Sequence, residues 1–170
     1  MFFEKKTGAF TGWIGYTLAW AFSQFPDLNE GREYPPKYDR RHDISIVLNY
    51  RLGESWELTA VWIYGTGQAF TFPVAQYSVD PNYPSLYYSD RNAYRLPAYH
   101  RLDLNFSHSF NWFGWDWKLS LNVYNAYNHL NPFSQYLDQN YNPETGATQW
   151  QVKQFTLFPI HPTVGLSFKF

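Results

Sequence analysis

Two short runs, Arg40-Arg41-His42-Asp43 and His100-Arg101-Leu102-Asp103, bring imidazoles, guanidinium groups and carboxylates close together in the chain. Such a set would suit proton transfer or metal binding if the groups converged. In an extended strand they do not converge. Successive side chains point to opposite faces, so His42 parts from Asp43 and His100 from Arg101. What each run does place on one face is an Arg and a carboxylate two residues apart, Arg41 with Asp43 and Arg101 with Asp103. Pairing within a wall is the plainer use of that arrangement, and contact with a charged ligand is the other. A second group is aromatic. Tyr77, Tyr83, Tyr87, Tyr88 and Tyr94, with Asp80 and Asp90, could stack on a sugar or an aromatic ligand, or pack on one another. Asn122, Asn125, Asn128 and Asn131 recur at every third residue, a spacing that lines no single strand face. They read as polar wall positions followed by a loop-opening Asn-Pro. Asn105-Phe106-Ser107 matches a glycosylation sequon but falls inside a predicted strand. No nucleophile paired with a base, phosphate-cradling loop or metal-ligand spacing occurs, so the chain reads as a non-enzyme without a cofactor.

The composition narrows the class. Aromatics make up 22% of the 170 residues and charged residues only 16%, against the roughly 25% usual for a water-facing domain. A net charge of -1 provides no basic footprint for nucleic acid. With no Cys, neither a disulfide framework nor a thiolate metal site can form. No run approaches the roughly 20 apolar residues of a membrane helix, and mean hydropathy is -0.49. That test is blind to barrels, whose alternating strands average out. Residues 1 to 8 lack the apolar stretch of a signal peptide, so any export signal is expected outside this chain.

The elements that must carry these residues are strands. Period-2 alternation recurs in residues 9 to 23, 42 to 52, 56 to 66, 100 to 111, 117 to 128 and the terminal stretch ending at Phe170. In the first, Phe10, Ile14, Tyr16, Leu18, Trp20 and Phe22 share a face opposite Thr11, Gly15, Thr17, Ala19, Ala21 and Ser23. In the fifth, Trp117, Leu119, Leu121 and Val123 oppose Lys118, Ser120, Asn122 and Tyr124. Each run is about the 9 to 11 residues that a tilted strand needs to cross a bilayer. Periodicity of a helical kind is absent. Met1 to Glu4 read as the stub of an earlier strand.

The connections alternate in length. Lys5 to Gly8, Gly53 to Ser55 and Trp112 to Asp116 are short; Gln24 to Arg41, Thr66 to Tyr99 and His129 to about Phe158 are long and rich in Pro, Tyr, Asn and Asp. Short turns on one side and long loops on the other are the habit of outer-membrane barrels. The apolar faces carry no Asp, Glu, Lys or Arg at a central position, as expected where a midplane Lys or Arg costs about 2 to 4 kcal/mol. His108 is the awkward residue. It falls at the turn end, level with Trp56, Trp112, Trp115, Trp117, Phe168 and Phe170, which together read as an aromatic girdle.

Five segments then carry a family resemblance. K-K-T-G-A-F-T-G-W-I-G-Y-T-L-A-W (5 to 20), Y-D-R-R-H-D-I-S-I-V-L-N-Y (38 to 50), L-P-A-Y-H-R-L-D-L-N (96 to 105), L-N-V-Y-N-A-Y-N-H-L-N-P-F (121 to 133) and P-T-V-G-L-S-F-K-F (162 to 170) resemble, in order, the last strands of TonB-dependent outer-membrane receptors, especially of Bacteroidetes-type bacteria. The resemblance implies an antiparallel up-and-down transmembrane barrel of about 22 strands with a plugged lumen, taking up a scarce ligand. Residues 1 to 170 would then be its C-terminal portion, without plug, TonB box or earlier strands, and not competent for transport alone. The implied partners are outer-membrane lipid, the rest of the barrel and plug, the TonB complex and the barrel assembly machinery, in a Gram-negative outer membrane. Val164, Leu166, Phe168 and the terminal Phe170 resemble the signal that such barrels present for assembly. Two rivals fit the alternation: a small outer-membrane protein that closes by self-association, and a secreted soluble β-sandwich that binds carbohydrate through aromatic loops. The second requires a protein layer over the apolar faces.

Overall fold

Alternating runs rich in aromatic and β-branched residues favour the pleated, half-exposed surface of a sheet, and the chain folds accordingly. The structure, a computed structural model, describes residues 1–80, 83–141, 143–144 and 148–170, with the backbone alone at 76, 78–80, 83–84 and 148–150. Strands β1 (Phe2–Lys5), β2 (Phe10–Leu18), β3 (His42–Leu52), β4 (Trp56–Gly65), β9 (Tyr99–Trp112), β10 (Trp115–Tyr124) and β13 (His161–Lys169) form one seven-stranded sheet in that order, every neighbour antiparallel. The six predicted strands and the stub before them are therefore the sheet. β1 and β13 lie on its two edges, and the sheet does not close into a barrel. Among the described residues no helix is long and apolar enough to cross a membrane, which leaves strands untested.

Register separates the two faces. Phe10, Tyr50, Leu58, Phe106, Leu121 and Val164 form one continuous row across six strands; the residues beside them, Thr11, Asn49, Thr59, Asn105, Asn122 and Thr163, form a row of polar side chains on the other face. The polar row is internally bonded. Thr59 Oγ1 donates to Asn49 Oδ1 at 2.9 Å and Asn105 Nδ2 to Asn122 Oδ1 at 2.5 Å. The next apolar rows, Gly12-Leu48-Ala60-Leu104-Val123-Pro162 and Ile14-Ile46-Trp62-Leu102, repeat the pattern. Among the described residues no second layer covers them. The buried apolar residues described are Tyr34, Ala69 and Leu96, all outside the seven strands.

The turn end is tight. β9 and β10 are joined by Phe113 and Gly114, both left-handed at φ 52° and 79°, a two-residue type I′ turn narrower than the predicted Trp112 to Asp116. Around it the aromatics touch. Trp115 and Trp117 lie 5.4 and 5.0 Å from Phe168, Trp115 lies 5.8 Å from Phe170, and the His108 ring stacks on Trp56 at 3.9 Å.

The loop end departs from expectation in two ways. Strands predicted over 9 to 23 and 117 to 128 stop at Leu18 and Tyr124. In each case a carboxylate replaces the next backbone partner: Asp39 accepts the Ala21 N–H at 2.8 Å and Asp103 the Asn125 N–H at 2.9 Å. The long connections also carry strands of their own. β5 (Ala69–Phe70) pairs with β8 (Tyr94–Arg95), β6 (Pro73–Asp80) with β7 (Tyr83–Tyr88), and β11 (Pro132–Tyr141) with β12 (Thr148–Thr156). Their Pro residues and irregular alternation hid them from a period-2 reading, and register shifts interrupt both longer hairpins.

Candidate functional site at the loop end of the polar face

Three registers place polar groups at the loop end: Thr17, Asp43, Gly65 and Tyr99 in one row, Arg101 below them, and Asp103 below that. Arg101 is fully engaged. Its Nη2 lies 2.8 Å and its Nε 2.9 Å from Asp103 Oδ2; Nη1 donates to the Tyr99 hydroxyl at 2.9 Å and to the Tyr124 hydroxyl, and the guanidinium carbon stands 4.0 Å from the Tyr124 ring centroid. Asp103 spends its other oxygen on the Asn125 N–H. Of the two sequence-predicted pairs, Arg101 and Asp103 thus meet on one face of the sheet. Arg41 and Asp43 form no ion pair among the described residues, because Arg41 precedes β3 and lacks its regular alternation.

A second pair, not anticipated from sequence, ties the loops together. Asp39 is 4% exposed and binds the Arg95 guanidinium; Arg95 also donates to the carbonyls of Asp39, at 2.7 Å, and Gly67, at 3.2 Å. Burial alone would raise the Asp39 carboxyl, but the Ala21 N–H and Arg95 outweigh it and hold it below the usual carboxylate range. Asn131 adds a clamp, accepting the His100 N–H and donating to the His100 carbonyl, both at 2.9 Å, as a third strand would. Asn125, fully buried and left-handed at φ 53°, donates to the His129 carbonyl and accepts its N–H. The asparagines read as wall and loop-opening positions divide accordingly: Asn122 is in the polar row, and Asn125, Asn128 and Asn131 build the turn, with Asn128 Oδ1 accepting the Ile160 N–H at 2.9 Å.

Between these ties lies a cavity of about 350 Å³. Arg40 and Lys37 line it with Tyr99, Tyr124, Phe133 and Phe158, and no carboxylate is among its lining residues. Its size falls within the range of small-molecule sites. Arg40 reaches it by crossing Gly65, where a Cβ would stand 2.8 Å from Nη1 and 3.3 Å from Cδ, and its guanidinium lies 5.9 Å from the Tyr99 ring centroid. Sequence reading passed over Arg40 and Lys37 for Arg41. The available signal was Gly65, a small residue opposite Asp43 in an otherwise bulky strand.

The tyrosines of the second long loop stand apart from this cavity. Tyr77, Tyr87 and Tyr88 are exposed on the β6–β7 hairpin; the side chains of Tyr83 and Asp80 lie outside the described residues. Tyr94 packs on Phe70 and Phe72 at 6.4 and 5.9 Å, and Asp90 accepts both guanidinium nitrogens of Arg32 at 2.9 Å. Val164, Leu166, Phe168 and Phe170 are all exposed on and just beyond the edge strand β13. Among the described residues no cluster of three or more His, Asp or Glu side chains could hold a metal ion. No family model matches the chain, and no curated protein or solved structure is significantly similar to it.

Proposed function

We propose that the chain is the C-terminal wall of a TonB-dependent receptor barrel in a Gram-negative outer membrane, where it helps enclose the path of a scarce ligand. The carrying observation is the pair of facing rows, Phe10-Tyr50-Leu58-Phe106-Leu121-Val164 and Thr11-Asn49-Thr59-Asn105-Asn122-Thr163. A sheet apolar on one side and mostly polar on the other, apart from Trp13, Val47, Val61 and Ile63, with no second layer over it among the described residues, is suited to lipid on its first face and water on its second. The aromatic cluster around the tight turns suits a membrane–water boundary. Free backbone groups on β1 and β13 would be costly in lipid, so the working barrel includes further strands from the rest of the receptor, with a plug in its lumen and the TonB complex as its energy source. The chain alone performs no transport and catalyses no reaction.

The reading is tested by partition and depth. Refolded with lipid vesicles, the protein should insert, and lipids brominated at defined depths should quench its Trp fluorescence most strongly near the interface, where Trp112, Trp115 and Trp117 cluster. A protein that remains monomeric and folded in buffer without detergent refutes it. That result would favour the secreted sandwich, for which a covering layer would have to be found.

A further inference from the structure

The loop end holds six arginines, of which three are paired with carboxylates and three are not. Arg32 is neutralised by Asp90, Arg95 by Asp39 and Arg101 by Asp103. Arg40, Arg41 and Arg91 form no ion pair among the described residues; Arg41 and Arg91 are exposed, whereas Arg40 is half-buried and lines the cavity. The position of Arg40 is nonetheless held. Gly65 clears the surface that it crosses, and Tyr99 lies beside its guanidinium. A guanidinium kept partly out of water without a counter-charge is unfavourable; Asp39 beside it is committed to Arg95, and Asp43, opposite Gly65, forms no ion pair with it. From this arrangement we infer that the cavity binds a small molecule that joins an oxyanion, carboxylate or phosphate, to an apolar or aromatic body.

The oxyanion sits on Arg40, whose planar fork suits two-point binding of either group, with Lys37 as a second cation. The body lies against Tyr124, Phe133 and Phe158. The chemistry also sets the direction of approach. Gly65 and Tyr99 belong to the polar face, so the ligand arrives through water and not from a lipid headgroup on the apolar face. This inference rests on the receptor reading only for the statement that the polar face is the lumen; the anion site itself does not depend on it.

The test is titration calorimetry on the full chain in detergent micelles, using benzoate, phenyl phosphate, inorganic phosphate and the neutral benzamide. Benzoate or phenyl phosphate should bind saturably, and which of the two binds tighter identifies the oxyanion. Benzamide and inorganic phosphate should each bind about tenfold more weakly or worse, one lacking the charge and the other the body. Arg40→Gln should weaken the aryl anion about tenfold, the loss of roughly one charge-assisted hydrogen bond. Gly65→Ala should weaken it as well by displacing Arg40 while retaining its charge. Arg32→Gln, outside the cavity, should leave binding unchanged. Equal affinity for benzamide and benzoate, or an Arg40→Gln protein that binds like the parent, overturns the inference. Vesicle insertion without aryl-anion binding refutes the site alone, whereas aryl-anion binding by a protein that stays monomeric in buffer refutes the wall reading alone.

Discussion

Asp39 and Asp103 do the same work at two corners of the sheet: each takes the N–H that a neighbouring strand would have used, and each holds an arginine. At Asp39 the consequence is measurable. Replacing Arg95 by Met leaves a carboxylate that is 4% exposed without its counter-charge, and should cost about 2 to 3 kcal/mol, below the 3 to 5 of a fully buried pair because Arg95 is 23% exposed. Hydrogen exchange should register it as lost protection at the Ala21 and Leu96 amides, which this tie fixes. The pH dependence has a definite sign. A carboxyl held below its usual range when folded contributes its full stability at neutral pH, and loses it as pH falls below about 3.9 through its lower folded value. Protection at Ala21 should therefore collapse only in strong acid, and an Asp39→Asn protein should show lower protection with no such acid step.

At the scale of elements, the tight turns carry the informative strain. Phe113 is left-handed and 84% exposed, a conformation that costs most residues about 1 to 2 kcal/mol and asparagine much less. Phe113→Asn, creating the favoured pair before Gly114, should raise the midpoint of denaturant unfolding by the equivalent of about 1 kcal/mol. A drop would mean that the Phe113 ring, 4.8 Å from Trp112, contributes more through packing than its backbone costs. The loop hairpins differ in kind. β6–β7 and β11–β12 are separate two-stranded ribbons, and such a pair is marginal alone, so their order depends on what the loops pack against.

For the whole molecule the decisive experiment is one of paired substitutions. Leu121 and Asn122 are neighbours in the chain at the same height in β10, on opposite faces. Leu121→Lys should reduce the free energy of membrane insertion by about 2 to 4 kcal/mol, and Asn122→Lys should leave it nearly unchanged. Equal effects, measured by vesicle partition, would mean that the two faces meet the same environment.

Much of this was legible in the sequence because strand periodicity is local. Residue n and residue n+2 share a face whatever lies across the sheet, so the runs holding Phe10, Leu48, Leu104 and Leu121, and the stub at Met1 to Glu4, could be read before any pairing was known. The aromatic band followed from the same counting: Trp56, Trp115, Trp117 and Phe168 are all near turn ends. The loop end was not legible, for the opposite reason. Asp39 meets Arg95 across 56 residues and Arg40 reaches its cavity over Gly65 of another strand, contacts that no spacing encodes. Sequence alone determined which side chains share a face. Only the tertiary structure decided which of the arginines without a carboxylate is half-buried against a cavity, because neutralisation and burial depend on distance in space and the groups that matter come from distant loops.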